Sequence, residues 1–226
     1  MRIHSIPKIN KAMLCAALFG ALPFTLSACQ REVNPFDYVS EYRSNLFLYS
    51  SETVSVRAQE VDKEYPYVAD GFCGTLTKRL EVFLSPAEGT DGCSLSFFYG
   101  GKAYGGEASF DSVKGEYYYS CTVERSDEHS VEMTVTLGDV AQEITLRSVL
   151  DGNTLKGKAV LEKLEEAEPN VFLALTDKNG FAGEIYLRLL YEDAPFYYVG
   201  VVDRQGNVNA YLLNAQTGKL LAKRSS

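Results

Sequence analysis

Few residues in this chain have the chemistry of a catalyst. His129 is the one histidine outside the first 28 residues, and it stands in Glu124-Arg125-Ser126-Asp127-Glu128-His129-Ser130, a charged turn. A triad histidine must be buried and oriented beside a nucleophile, whereas a turn of this composition predicts a solvated imidazole. No Gly-x-Ser-x-Gly nucleophile elbow is present. No Cys-x-x-Cys pair exists, and a single histidine cannot build a His-rich zinc site. Asp177-Lys178-Asn179-Gly180 begins like a calcium loop. Phe181 and Ala182 then stand where such a loop needs an oxygen ligand and a glycine. Asp70, Glu107 and Asp111 lie in Gly- and aromatic-rich stretches and come nearest to a hydrolase carboxylate pair, but no spacing selects two of them. The chain therefore reads as non-enzymatic, with no catalytic residue, no metal ligand and no cofactor expected.

Aromatic side chains are the unusual abundance. Twenty-five Phe and Tyr follow residue 28, clustered at Tyr65-Pro66-Tyr67, Phe97-Phe98-Tyr99, Tyr104, Tyr117-Tyr118-Tyr119 and Phe196-Tyr197-Tyr198. Adjacent residues on a strand point to opposite faces, so some of these rings must face outward. Tyr118 and Tyr197 are placed on the outer face, and Tyr99 and Tyr104 beside Gly-rich loops. Exposed tyrosines can stack on sugars or grip a peptide, so these four are the candidate ligand-binding residues. A second layer covering that face would account for them equally well.

The N-terminus reads as an address. Arg2, Lys8 and Lys11 form a basic region, an apolar run extends from Ala12 to Leu22, and Pro23 breaks it. These are the parts of a signal peptide, and the run is too short to span a bilayer. Leu26-Ser27-Ala28-Cys29 follows and resembles the lipobox of bacterial lipoproteins. The resemblance implies cleavage before Cys29 and attachment of acyl chains to its thiol, the side chain most easily alkylated. The partner so implied is a membrane, reached through the lipid on Cys29, and the place is the extracytoplasmic face.

Charge agrees with a tether and not with a basic patch. The chain has 22 basic and 30 acidic residues, a formal −8. Loss of residues 1–28 removes Arg2, Lys8 and Lys11 and no acid, leaving 19 basic residues against 30 acidic, a formal −11. Such a domain is repelled by anionic lipid and lacks the basic face that a nucleic-acid partner needs. Three cysteines remain beyond Cys29, at 73, 93 and 121. Should the strands around Cys93 and Cys121 pair as neighbours, the two would stand opposite and could form a disulfide. Otherwise all three are small buried apolar residues.

The elements that must carry these residues read mainly as strands. Asn34-Pro35 is a helix start, predicting a short helix from Pro35 to about Arg43 after a lipidated tether. From Leu46 the period is two: Val54 and Val56 alternate with Ser55 and Arg57, Leu80 and Val82 with Glu81, and Val131, Met133 and Val135 with Glu132 and Thr134. One wet face per strand is the mark of antiparallel sheets. Residues 46–150 are expected to form a sandwich or strongly curved sheet of about six strands, with 130–137 and 140–149 as a hairpin. Residues 151–226 are expected as an α+β unit, either separate or an extension of the same sheet. Its helix is predicted to end at Pro169, and its strands to cover about 170–176, 183–191, 196–203 and 207–214. The fold class is thus mainly β, α+β: an antiparallel sandwich or curved sheet, then a helix with a four-stranded antiparallel sheet.

Tyr211-Leu212-Leu213-Asn214-Ala215-Gln216-Thr217-Gly218-Lys219-Leu220-Leu221 resembles the end of a PepSY-type domain. That resemblance implies a helix packed on a small antiparallel sheet and an accessory role toward an exported protease or envelope machine. The chain departs from the pattern in an extra strand and in a helix without the usual Ala-rich register. The residues themselves support a lipid-anchored binding module for a protein, peptide or glycan. A hydrolase would need clustered carboxylates in a cleft, and a lipid carrier would need a sheet closed around an apolar cavity.

Overall fold

The computed structural model describes residues 33–66, 73–124 and 126–225. Residues 1–28, expected as a signal peptide, the lipobox-like Leu26–Cys29 and Asp70 lie outside the described residues. Nine strands come first: β1 (Val39–Ser50), β2 (Val54–Glu64), β3 (Leu76–Pro86), β4 (Cys93–Tyr99), β5 (Lys102–Glu107), β6 (Ser109–Asp111), β7 (Glu116–Thr122), β8 (Ser130–Leu137) and β9 (Val140–Ser148). Helices α1 (Gly157–Ala167) and α2 (Pro169–Leu175) follow. A two-strand hairpin comes next, β10 (Thr176–Asp177) with β11 (Gly180–Phe181), and then β12 (Gly183–Tyr191), β13 (Pro195–Asp203), β14 (Val208–Asn214) and β15 (Leu220–Ser225). The class is mainly β, a large and mostly antiparallel sheet curved nearly to a barrel.

Strand β1 joins the two halves. Along one edge it pairs antiparallel with β2. Along the other, its first residues pair in parallel with β12, Tyr42 opposite Leu187, while Phe47 and Leu48 pair antiparallel with β9. The register shifts between Arg43 and Asn45, so Ser44 is an extra residue that bends the strand where its partner changes. From β1 the ladder runs β2-β3-β7-β6 one way and β9-β8-β4-β5 the other. Strands β5 and β6 are consecutive in the chain, so the two ends of the curve meet at Ala108. There the Ala108 amide donates to the Cys93 carbonyl at 2.8 Å, and the Tyr119 hydroxyl donates to the Gly105 carbonyl at 3.1 Å. A Cβ at Gly105 would lie 2.6 Å from the Leu95 carbonyl oxygen, so β5 approaches β4 as closely as glycine alone permits.

Alternation along these strands fills the curve. Phe47, Val56, Ala58, Leu80, Val82, Leu84, Leu95, Phe97, Val135 and Leu146 all point inward and are buried. Each contributes about 1.5–3 kcal/mol of apolar burial if it is a Leu, Val or Phe. The space that a lipid carrier would keep open is thus occupied by side chains. A second core lies between the β12–β15 meander and the helices, where Ile185, Leu187, Val199 and Leu213 meet Val160, Leu164 and Phe172. The Gly157 glycine is required there, because a Cβ would lie 2.6 Å from the Tyr42 ring. The tail is therefore an extension of the same sheet, continuous through the β1–β12 ladder.

Two expected elements differ. Asn34 does cap, accepting from the Phe36 amide at 3.2 Å, but the helix stops after one 3-10 turn at Tyr38. Glu41, Tyr42 and Arg43 are drawn into the ladder between β2 and β12, where the strand has a partner along both edges. Residues 170–175, expected as a strand, are helical. Pro169 both stops α1 and starts α2 as its first residue. Phe172 is buried and Val171 and Leu175 pack on the second core, while Leu173 stays exposed, which is a helical face and not an alternating one. The hairpin of 130–137 with 140–149 forms as β8 and β9.

Candidate functional site

The chemistry is collected on the outer face of the central strands, opposite to the helices. Register sets it out: Arg43 lies across from Arg188 and from Val61, Gln59 from Glu81, Arg57 from Phe83, and Phe83 from Tyr118. Period-two alternation turns the apolar neighbours of these residues inward and leaves a stripe of charged and aromatic groups outside.

Glu81 is the centre of one half. Its side chain is buried, with 5 % exposed, yet it stays ionised because three donors reach it. Gln59 Nε2 donates to Oε2 at 2.7 Å, Lys63 Nζ pairs with Oε1, and the Tyr118 hydroxyl donates to Oε1 at 3.0 Å. Burial alone would push this carboxyl up, but those hydrogen bonds together hold it below the usual carboxylate range. Burial, and the Glu81 charge beside it, push the Tyr118 hydroxyl up.

The Glu81 shift has a consequence in acid. Its folded pKa is depressed, so the folded chain binds fewer protons than the unfolded chain near the ordinary Glu value. The stabilisation is present at neutral pH and is lost as pH falls through about 4.3 and on through the depressed folded value. Urea midpoints measured from pH 7 downward should fall more steeply for the native chain than for Glu81→Gln. Parallel curves would mean that Glu81 is not held ionised by these donors.

Glu41 centres the other half. Arg188 donates to it through both arms, Nε to Oε1 at 2.9 Å and Nη2 to Oε2 at 2.5 Å. Burial would lower the Arg188 pKa, but the Glu41 carboxylate outweighs it and the net shift is upward. Arg43 reaches Glu41 only at 3.8 Å. Its Nε is buried and has no hydrogen-bond partner among the described residues. Burial, with repulsion from Arg188 and Arg57, pulls its pKa down despite Glu41.

Aromatic rings hold the arginines in place. The Arg57 guanidinium lies 4.4 Å from the Phe83 ring centre, Arg79 4.3 Å from Tyr65, and Arg188 4.9 Å from Tyr186 and 5.8 Å from Tyr198. Beside this cluster is a trough of about 430 Å³ lined by Leu48, Ser50, Ser55, Arg57, Phe83 and Glu116, among others. A second hollow, of about 330 Å³, lies on the opposite face and is lined by Tyr42, Asn45, Glu60, His129, Lys156 and Tyr197 among others.

Of the four expected tyrosines, Tyr118 alone reaches the charged stripe. Tyr99 is 1 % exposed, edge-on to Phe47 inside the curve, because it shares parity with Leu95 and Phe97. Tyr197, expected outside, is also 1 % exposed. It faces Leu189 and Leu213 across the ladders, and its hydroxyl donates to the Leu155 carbonyl at 3.1 Å. The neighbour Tyr198 takes the outer place. Tyr104 is half-buried and stacked on Phe97 at 5.6 Å, away from the stripe. The exposed His129 and the carboxylates Glu107 and Asp111 are not brought together; Asp111 accepts the amides of Val113 and Lys114 in its own turn.

The Cys93–Cys121 disulfide does not form. Cys93 on β4 lies opposite Leu137 of β8, and Cys121 on β7 lies opposite Leu80 of β3, so their strands are not neighbours. Cys73, Cys93 and Cys121 are free thiols, and burial pushes Cys93 up to about 11. The residues that sequence reading missed as site residues are Glu41, Arg43, Arg57, Arg79, Glu81 and Arg188. Their signal was present as charges in period-two strands, read only as a wet face. No protein-family model matches the chain, and no solved structure matches it.

Proposed function

We propose that this chain is a lipid-anchored, non-enzymatic binding protein of the extracytoplasmic face, and that its outer charged and aromatic stripe takes the ligand. The observation that carries this reading is the pairing of Arg57 with Phe83 at the edge of the trough. A stacked guanidinium on a rigid sheet offers fixed donors beside an apolar surface, and little entropy is lost when a ligand meets it. Leu26-Ser27-Ala28-Cys29 supports the anchor. Acyl chains on Cys29, with a domain of formal −11 behind it, suit a tethered module held off the bilayer.

The test is a thermal melt of the full chain in non-ionic detergent against panels of glycans, peptides and lipids. A ligand at 100 times its dissociation constant adds about 2.7 kcal/mol, which for a domain of this size is a rise of about 5–10 °C. Arg57→Gln should remove that rise without lowering the melting point of the free protein. A rise that survives Arg57→Gln places the ligand elsewhere and defeats this reading.

A second reading is favoured by the packing of α1 on β12–β15, the arrangement that the PepSY-type resemblance implies. On that reading the chain is an accessory to an exported protease or envelope machine. A flat ligand panel over a clean cooperative melt would favour it.

A further inference from the structure

We infer that the outer face of β5-β4-β8-β9 is a platform for a neutral glycan, centred on the ring of Phe98. It is a site additional to the trough beside Arg57 and is carried by different strands. In Phe97-Phe98-Tyr99, alternation turns Phe97 and Tyr99 inward, where they are buried, and leaves Phe98 outside with 70 % of its surface exposed. Phe98 lines a hollow of about 530 Å³, larger than the trough. Register sets out its neighbours in two rows. Ser96 has Gly105 on one side and Thr134 on the other, and Thr134 is followed by Glu143. Phe98 has Ala103 on its β5 side, and on the β8 side Glu132 pairs with Thr145. Ala103 is small, and the close approach of β5 to β4 excludes any side chain at Gly105. The neighbouring β5 positions therefore leave the ring bare.

The lining selects the ligand class. Beside the ring stand the hydroxyls of Ser96, Thr134 and Thr145 and the carboxylates of Glu132 and Glu143. Hydroxyls exchange hydrogen bonds with sugar hydroxyls, carboxylates accept them, and a bare aromatic face covers the C–H side of a sugar ring. No lysine or arginine among the described residues lines the hollow. An acidic sugar or an anionic lipid surface would therefore meet two negative charges with no counter-charge beside them. A basic peptide would match the charge, but an ion pair on so open a face contributes little in water, and it leaves the three hydroxyl donors unused. Four strands span three inter-strand steps, about 14 Å, so the platform is longer than one sugar ring.

The probes are cellohexaose, maltohexaose and xylohexaose, compared with hexagalacturonate and hexalysine, titrated calorimetrically into the full chain in a polyoxyethylene detergent. At least one neutral hexasaccharide should bind, and hexagalacturonate should bind about tenfold or more weakly. Phe98→Ala should weaken the neutral glycan by about tenfold or more, the loss of the stacking face. Its melting point should stay at that of the native chain, because the ring lies outside the core. Phe98→Tyr keeps a flat ring and should keep the binding. Arg57→Gln should also leave it unchanged, whereas a ligand of the trough shows the opposite pattern, lost with Arg57→Gln and kept with Phe98→Ala. No binding by any neutral hexasaccharide, or binding unmoved by Phe98→Ala, would overturn the platform. Hexagalacturonate bound as tightly as the neutral glycans would overturn the charge argument and with it the ligand class. Hexalysine bound more tightly than every glycan, and lost with Glu132→Gln and Glu143→Gln, would overturn the sugar assignment in favour of a cationic peptide.

Discussion

Replacing Glu81 by alanine should destabilise the chain by about 3 kcal/mol, the low end of what breaking a buried ion pair costs. The low end applies because Lys63, with 30 % of its side chain exposed, can turn to water once its partner is gone. Gln59 cannot, being buried between β1 and β3, and its amide loses its acceptor. The measurement is the urea midpoint of Glu81→Ala against the native chain, with the slope checked for constancy. Glu81→Gln, which keeps the shape, should lose less. A loss below about 1 kcal/mol for the alanine variant would show that the network is a solvated surface pair of small worth.

Phe47→Ala should cost more, about 3–5 kcal/mol, from lost burial and the cavity left behind. Phe47 has no exposed surface and stands edge-on to Tyr99 at 6.3 Å, at the point where β1 passes from β12 to β9. The same substitution tests whether the curved sheet is a packed core or a container. A packed interior cannot collapse onto the missing ring, whereas an adaptable one would lose little and would bind apolar ligands in the vacated space. A loss below about 1.5 kcal/mol, combined with uptake of a fluorescent fatty acid, would revive lipid carriage.

The strands were legible because alternation is a local property. Val54, Val56, Leu80, Val82, Val131 and Met133 announce an inward face without reference to any partner, and the β8–β9 turn is written in Gly138 and Asp139. The failures came where tertiary pairing overrode a local signal. Asn34-Pro35 is a sound helix start, but β2 and β12 offered Glu41–Arg43 a ladder on each edge. Residues 170–175 are short and apolar, and nothing local separates a buried strand from one helical face. Cys93 and Cys121 both lie on strands, as expected, but which strands are neighbours is not a local property.

The candidate site divides in the same way. Arg57, Glu81 and Tyr118 could each be placed on a wet face from their own strand. The parity of Tyr197 could not, because the strand that follows Ala194 has no apolar-polar contrast across Phe196-Tyr197-Tyr198. Its neighbours in the fold, Leu189 and Leu213, decided which ring turned inward.

By itself, the order of residues determined the class of the chain: mainly β, acidic and poor in catalytic side chains, with Leu26–Cys29 resembling a lipobox. Alternation, charge and turn residues act over a few positions, so they survive without the fold. The tertiary structure alone decided that Glu41, Arg43, Arg57, Glu81 and Arg188 share one face. Those residues span 147 positions of the chain between Glu41 and Arg188, and only the register of four strands, β1, β2, β3 and β12, brings them within reach of one another.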